Sequence, residues 1–226
     1  PRQRIAAALA TQALLGDPAR AAEMTAAARL NLAALPDTET APAELAQALM
    51  TAGSLFHASH SEEDRAQAEA LATRLCATQA DDGVFRETGA MAFVAEHAVA
   101  LLALARSLPF GGQAGEAVRR GIDALALITL PGPVDTITLP AAPAAGTEEL
   151  ALLLRALRAA QTARATGVLA LSEAEARRLA FLADLALRFL QARIRPEGDA
   201  LIVDGPLSAQ VAALAALVPP EGAMGR

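Results

Sequence analysis

The sequence contains no tryptophan and no tyrosine, and its only aromatic side chains are six phenylalanines. Strands favour aromatic and β-branched residues, whereas alanine and leucine, which dominate this chain, favour helices. Hydrophobic residues make up 54% of the 226 residues, so the chain is long enough to bury a sizeable core. The composition predicts an all-α protein, and we expect residues 1–226 to form a single domain.

Cysteine is nearly absent, since Cys76 is the only one. No intramolecular disulfide can form, which fits a reducing compartment and slightly favours the cytoplasm. Because Cys76 falls inside a predicted helix, we interpret it as a small buried hydrophobic side chain, with a reactive thiol as the alternative.

Clustered positive charge and long apolar runs are also missing. The net charge is −6 and the isoelectric point is near 5.1, so nucleic acid is not an expected partner. No stretch reaches the roughly 18 uninterrupted apolar residues that a membrane span needs. Motifs of the types G-x-G-x-x-G, Walker, G-x-S-x-G and C-x-x-C are lacking, so we predict no cofactor. The chain begins at Pro1 without an initiator methionine, and we expect it to be a piece of a longer product.

The segment 89–108 is the most apolar part of the chain. Only Glu96 and His97 near its middle and Arg106 near its end interrupt the small and apolar residues. A helix that is apolar on every side has no face for water, so we predict that this segment is a buried helix surrounded by the others.

Charge alternates along the predicted helices. The charge-poor segments are 4–15, 43–59, 89–108, 147–166 and 206–218, and the charged segments are 18–35, 61–79, 113–128 and 172–194. Segment 147–166 fits least well because it contains Arg155, Arg158 and Arg164. Apolar helices need burial while charged ones can face water. We therefore predict an array of antiparallel hairpins with an inner layer of charge-poor helices and an outer layer of charged ones.

The segments between the helices carry turn and cap signals. Capping boxes are predicted at Ser61 to Asp64 and at Ser172 to Glu175. The segment 129–146 contains four prolines and is the longest irregular piece, with a short edge strand predicted at 134–139. The segment 195–205 is predicted to be an acidic loop.

Three turn motifs resemble those of the α/α toroids, the six-hairpin glycosidase-like domains of N-acylglucosamine epimerase-type enzymes. The motifs are Leu15-Gly16-Asp17-Pro18, Asp82-Gly83-Val84-Phe85 and Glu197-Gly198-Asp199. The resemblance covers nearly the whole chain, but only about four and a half of the six hairpins, which implies a partial or diverged toroid. An α-solenoid is the competing interpretation, although its regular period of about 34 residues is not seen.

The resemblance also implies a site. Similar toroids place their active sites at the rim formed by the loops from outer to inner helices, and Asp82 and Glu87 lie in one such loop. Glu96 and His97 would lie roughly 12 Å below that rim. These four residues are the candidate catalytic groups, for acid and base work on a sugar or another small molecule. Neighbouring helix residues diverge by about 100°, however, so Glu96 and His97 also fit a structural, hydrogen-bonded pair.

His57 and His60 have the i, i+3 spacing of two metal ligands. The sequence offers no third ligand or supporting context at this point, and solvent-facing histidines at a helix end are the preferred interpretation. We therefore predict no metal site.

Two functions remain open from the sequence. Toroid enzymes that bind sugars hold the rings against tryptophan and tyrosine, which this chain lacks. The first prediction is a non-catalytic scaffold or binding module, whose terminal helices 4–15 and 206–218 pack on another domain or subunit. The alternative is a carbohydrate-active enzyme that uses the rim carboxylates.

Overall fold

A computed structural model describes residues 18–36, 40–110, 112–126, 145–197, 200–203 and 207–217. Two predicted elements, the helix 4–15 and the strand 134–139, lie outside the described residues. So do Leu15, Gly16 and Asp17 of the first turn motif and Gly198 and Asp199 of the third.

The described part of the chain is mostly helical, which confirms the all-α prediction. The helices are α1 (Pro18–Ala33), α2 (Pro42–Ser59), α3 (Glu62–Ala77), α4 (Val94–Ser107), α5 (Ala114–Ala126), α6 (Thr147–Ala165), α7 (Glu173–Gln191) and α8 (Leu207–Leu217). A short 3₁₀ helix, Leu108–Phe110, follows α4, and two short strands, β1 (Ile194–Glu197) and β2 (Ala200–Val203), separate α7 from α8. None of the described helices is long and apolar enough to span a membrane.

The charge-poor helices α2, α4, α6 and α8 pack side by side in chain order. Each of them contributes a residue of its first turn to one groove: Ala43, Glu96, Glu148 and Ala209. The last turns of α4, α6 and α8 meet at a second pocket at the opposite end. These helices therefore run in the same direction.

The charged helices run the other way. The end of α3 lies beside the start of α2, where Ala77 and Pro42 line one hollow. The α7 helix ends beside the start of α6, where Arg193 donates to the Ala145 carbonyl at 2.9 Å. Helix α5 packs on α4, α3 and α7. The helices α2–α3, α4–α5 and α6–α7 thus form antiparallel hairpins, and the largest buried leucines lie on the charge-poor helices and between the two sets.

Helix α4 is shorter than the predicted helix 89–108. It begins at Val94 because Phe93 is still extended, with φ of −117° and ψ of 139°, and Gly89 turns the chain further back with a left-handed φ of +77°. Met91 is 57% exposed and Phe93 is 41% exposed, so the prediction that they are buried is wrong. From Val94 onward the helix is largely buried, as its composition predicts.

The loop predicted at 195–205 is instead a two-stranded antiparallel ribbon where the structure describes it. Ile194 pairs with Val203 and Arg195 pairs with Ile202. β-branched side chains in facing positions favour a pleated ribbon, and Val203 is buried against the helices. The acidic residues of this segment are typical of a loop, whereas its β-branched residues favour the ribbon.

One of the two predicted capping boxes is complete. The Glu175 N–H donates to Ser172 Oγ at 3.3 Å, and the Ser172 N–H donates to Glu175 Oε2 at 2.7 Å. At the start of α3 the Ser61 hydroxyl accepts from the Glu63 N–H at 3.3 Å. Asp64 does not reach back to Ser61, so the second half of that predicted box is wrong.

Asp64 is buried, with 3% of its surface exposed, and it joins α3 to α1. Arg29 donates from Nε to Oδ1 at 3.1 Å and from Nη2 to Oδ2 at 2.6 Å, and the Ser59 hydroxyl donates to Oδ2 at 2.5 Å. The hydrogen bond from Arg29 holds the pKa of Asp64 below its usual value, although desolvation acts in the opposite direction. The sequence pattern had placed Asp64 and Arg29 among the outward charges.

Replacing Asp64 by asparagine is expected to lower the free energy of unfolding by about 2 kcal/mol, because charge-assisted hydrogen bonds are lost while Arg29 stays partly in water. Urea denaturation followed by circular dichroism measures this. Because the pKa of Asp64 is lower in the folded chain than in the unfolded chain, its carboxylate stabilises the wild type fully above the unfolded pKa. This stabilisation is lost as the pH falls through the folded pKa. The control is Glu69→Gln, which removes an exposed ion pair with Arg65 and should cost less than about 0.5 kcal/mol. Equal losses in the two variants would contradict the buried role of Asp64.

Candidate functional site

A groove runs along the face that α2, α4, α6 and α8 leave uncovered, and we call it the inner groove. Its volume is about 710 Å³. Gln47, Met50, Glu96, Val99, Leu152 and Arg155 are among the residues that line it. On α4 and on α6 the lining residues recur every three or four positions, which places them on one face of each helix. The inner groove combines apolar walls with a few charged groups, as ligand sites do.

Glu96 is the only one of the four predicted catalytic residues that lines the inner groove. Its pKa is raised, first because burial disfavours the carboxylate and second because the negative charge of Glu87 lies near it. A carboxyl group with a raised pKa is suited to donate a proton. No ion pair of Glu96 with Arg155 is seen, although both line the groove.

His97 points the other way, into the core, and is fully buried. The Phe85 N–H donates to His97 Nδ1 at 3.2 Å, so Nδ1 carries no proton. Nε2 then carries the proton and donates to the Gly121 carbonyl at 3.0 Å. Burial lowers the pKa of His97 to about 4, because desolvation disfavours the imidazolium. Both ring nitrogens are used, and His97 ties the loop before α4 to α5.

Asp82 has a local structural role in the turn that follows α3. Its Oδ1 accepts the Val84 N–H at 3.0 Å, and Arg86 Nη1 lies 2.8 Å from Oδ2. Desolvation raises the pKa of Asp82, but the Val84 N–H and the Arg86 guanidinium outweigh it, so the pKa is lowered. Asp82 therefore stays a carboxylate.

Glu87 is exposed and lies at the rim, in a hollow of about 850 Å³ beside the loops that lead into α2 and α4. Arg74 and Arg86 line the same hollow with Asp81, so the rim carries both signs of charge rather than acids alone. Arg74 is already engaged, since it donates to the Pro36 carbonyl at 2.5 Å.

The four predicted residues thus occupy four environments. Glu96 faces the inner groove, Glu87 lies at the rim close enough to affect it, and Asp82 and His97 serve the turn and the core. No arrangement of an acid opposite a base across the inner groove results from these four residues. The charged groove residues outside the candidate set are Glu148, Glu149 and Arg155 of α6. For Arg155 a signal was available, because the arginines of 147–166 disturb the charge alternation.

The phenylalanines do not supply the missing aromatic walls. Phe85 packs against His97 with ring centres 5.8 Å apart, and Phe56 packs against Phe110 at 5.2 Å. None of the described residues that line the inner groove is aromatic. A sugar ring would find no stacking partner there.

His57 and Cys76, the remaining reactive side chains of interest, have ordinary surroundings. His57 is exposed at the end of α2 next to Phe56, and the described residues contain no group of three or more metal-binding side chains. Cys76 is half-buried on α3, and desolvation raises the pKa of its thiol, which makes it a weak nucleophile.

Comparisons with known proteins give no relative that supplies a role for this chain. No protein-family model, no curated protein and no solved structure matches the chain. The resemblance to α/α toroids therefore stays a prediction from the turn motifs.

Proposed function

We propose that the chain is a non-catalytic scaffold or binding module, built as a partial α/α toroid, that packs through α8 on a helical surface of another domain or subunit. The observation that carries this proposal is the exposed apolar side of α8. Val211 is 57% exposed and Leu214 is 60% exposed, although α8 is the last helix of the charge-poor row.

The chemistry of α8 defines its partner. Its sequence, LSAQVAALAAL, contains no charged residue. Val211 and Leu214 are spaced i, i+3 and share one face with the small exposed residues Ser208 and Ala215. Small residues beside two apolar ones allow a helix to approach closely. Terminal units of a helical array need a polar outer face unless something covers them, so we infer that an apolar helical face covers α8.

Two observations support the partial toroid. The charge-poor helices start at one end and pack in chain order, with the charged helices returning between them. The first and the last helix of the row, α2 and α8, both reach the inner groove without packing extensively on each other. A flat row would keep its end helices apart, and a row bent as in a partial toroid accounts for their approach to one groove. The other terminal helix predicted to take part, 4–15, lies outside the described residues.

Sedimentation of the isolated chain tests the proposal, because the only helical surface available to α8 is then a second copy. The weight-average mass is expected to rise with concentration, and the double variant Val211→Lys/Leu214→Lys should remain a monomer. Leu30→Lys is the matched control, because Leu30 is 72% exposed on α1 and is not in the proposed contact. A wild-type chain that stays monomeric, or an association that Leu30→Lys removes equally, would overturn the role of α8.

The alternative, a carbohydrate-active enzyme, has one observation in its favour. Glu96 lines the inner groove with a raised pKa, as a general acid does. Two observations favour binding over catalysis. None of the described groove residues is aromatic, and His97 is buried with both ring nitrogens in hydrogen bonds. Turnover of a sugar substrate that Glu96→Gln abolishes, in a variant that folds normally, would establish the enzyme instead.

A further inference from the structure

A second pocket lies at the end of the molecule opposite the rim, between the last turns of α4, α6 and α8, and we call it the arginine pocket. Its volume is about 400 Å³. Arg106 of α4 and Arg155 and Arg158 of α6 line it, and Arg155 also lines the inner groove. Most of the remaining wall is apolar and includes Leu108 and Val168.

The positive charges of the arginine pocket are not balanced. Arg158 Nη1 donates to the Ala216 carbonyl at the end of α8. Arg106 and Arg155 make no hydrogen bond or ion pair with the described residues, whereas six other arginines there pair with a carboxylate and four donate to backbone carbonyls. No acidic residue of the described chain lines the pocket. Each guanidinium has five N–H donors, and since Arg106 is exposed and Arg155 is half-buried, these donors are left to water or to a ligand.

Helix dipoles explain only part of this arrangement. A cation near the end of a helix is favoured by the partial negative charge of the last carbonyls, which accounts for Arg158 at the end of α8 and for Arg106 in the last turn of α4. Arg155 lies in the middle of α6 and has no such partner. Desolvation lowers the pKa of Arg106, and the like charge of Arg155 lowers it further. The folded chain therefore retains a repulsion that a bound anion would remove.

We propose that the arginine pocket binds a small organic anion, with an oxyanion head group held by Arg106 and Arg155 and an apolar body held against Leu108 and Val168. Guanidinium groups bind carboxylate, phosphate and sulfate oxygens through paired N–H donors. The apolar wall of the pocket would hold the apolar body of the ligand. The pocket adjoins the proposed contact face of α8 at Ala215, whereas Val211 and Leu214 do not line it.

Isothermal titration calorimetry with four probes tests both halves of the proposal. Octanoate and octyl phosphate represent the two kinds of head group, octanol has no charge, and inorganic phosphate has no apolar body. At least one of octanoate and octyl phosphate is expected to bind at least about tenfold more tightly than octanol and inorganic phosphate do. The affinity for that probe should fall as salt is added. Equal binding of octanol overturns the ionic half, equal binding of phosphate overturns the apolar half, and binding by none overturns the proposal.

The Arg106 variant locates the binding to this pocket, because Arg106 lines the arginine pocket and not the inner groove. Arg155→Met and Arg106→Met are each expected to raise the dissociation constant of the more tightly bound octyl anion by about tenfold to a hundredfold. Arg188→Met removes the same charge at an exposed ion pair with Asp184 and should leave the affinity within about twofold. Neither pocket variant is expected to lower the melting temperature, because each removes a repulsion. Equal loss of affinity in all three variants would mean a general charge effect and would overturn the site. The double variant Val211→Lys/Leu214→Lys should bind the octyl anion as the wild type does.

Discussion

Replacing His97 by leucine is expected to lower the free energy of unfolding by about 2–6 kcal/mol, the larger of the two major effects. The change leaves the buried Phe85 N–H and the Gly121 carbonyl without their partner, and each unsatisfied group costs about 1–3 kcal/mol. Urea denaturation at neutral pH measures the loss. His57→Leu is the control, because His57 is exposed at a helix end and should change stability by less than about 0.5 kcal/mol.

The same histidine gives a pH dependence with a defined sign. Its pKa is about 4 in the folded chain against 6.5 for the unperturbed side chain, so the unfolded chain binds the proton more readily. The contribution of His97 to wild-type stability should be constant above pH 6.5 and should fall by about 3 kcal/mol between pH 6.5 and pH 4. His97→Leu lacks this term, so the difference between the two proteins should shrink as the pH falls. A catalytic, solvent-accessible histidine that titrates near its unperturbed pKa would keep the difference constant.

Gly83→Ala is the second large effect, with an expected loss of about 2–5 kcal/mol. Gly83 has φ of +83°, and an added Cβ would lie 2.5 Å from the Arg120 carbonyl oxygen. The left-handed conformation costs an alanine about 1–2 kcal/mol, and the clash with backbone adds about 1–3 kcal/mol. The loop cannot yield easily, because Gln79 Nε2 joins the Gly83 carbonyl to the Ala117 carbonyl at 2.9 Å each.

Gly89→Ala is a matched control for this change. Gly89 has a similar φ of +77°, but an added Cβ would meet nothing within 4 Å. Its expected loss is therefore the conformational part alone, about 1–2 kcal/mol. Equal losses at the two positions would show that the turn after α3 does not pack against α5 as described.

Local chemistry in the sequence was enough to predict much of the fold. Alanine and leucine content predicts the helices, Ser172 and Glu175 form the predicted cap, and the charge-poor segments predict which helices pack together. Local conformation also explains one error. A count of apolar residues does not register that Gly89 turns the chain, and so Met91 and Phe93 were expected in the core.

The candidate site depends on contacts that the sequence does not reveal. Asp64 has the pattern of an outward acid, and only the approach of α1 supplies Arg29 to compensate its burial. Glu96 and His97 are adjacent, but which of them faces the inner groove depends on where α5 and α6 lie around α4. Arg155 is conspicuous in the sequence, whereas its lack of a carboxylate is visible only in three dimensions.

Residue-by-residue amide hydrogen exchange tests the central claim, that the charge-poor helices form a packed row with α4 and α6 inside it. The amides of Ala98 to Ala105 are expected to exchange only through global unfolding, with the same free energy that urea denaturation gives. The amides of α1, which packs on α2 at the edge of the described structure, should exchange through local opening at a lower free energy. Exchange from α4 as fast as from α1 would contradict the two-layer arrangement on which the site and both proposals depend.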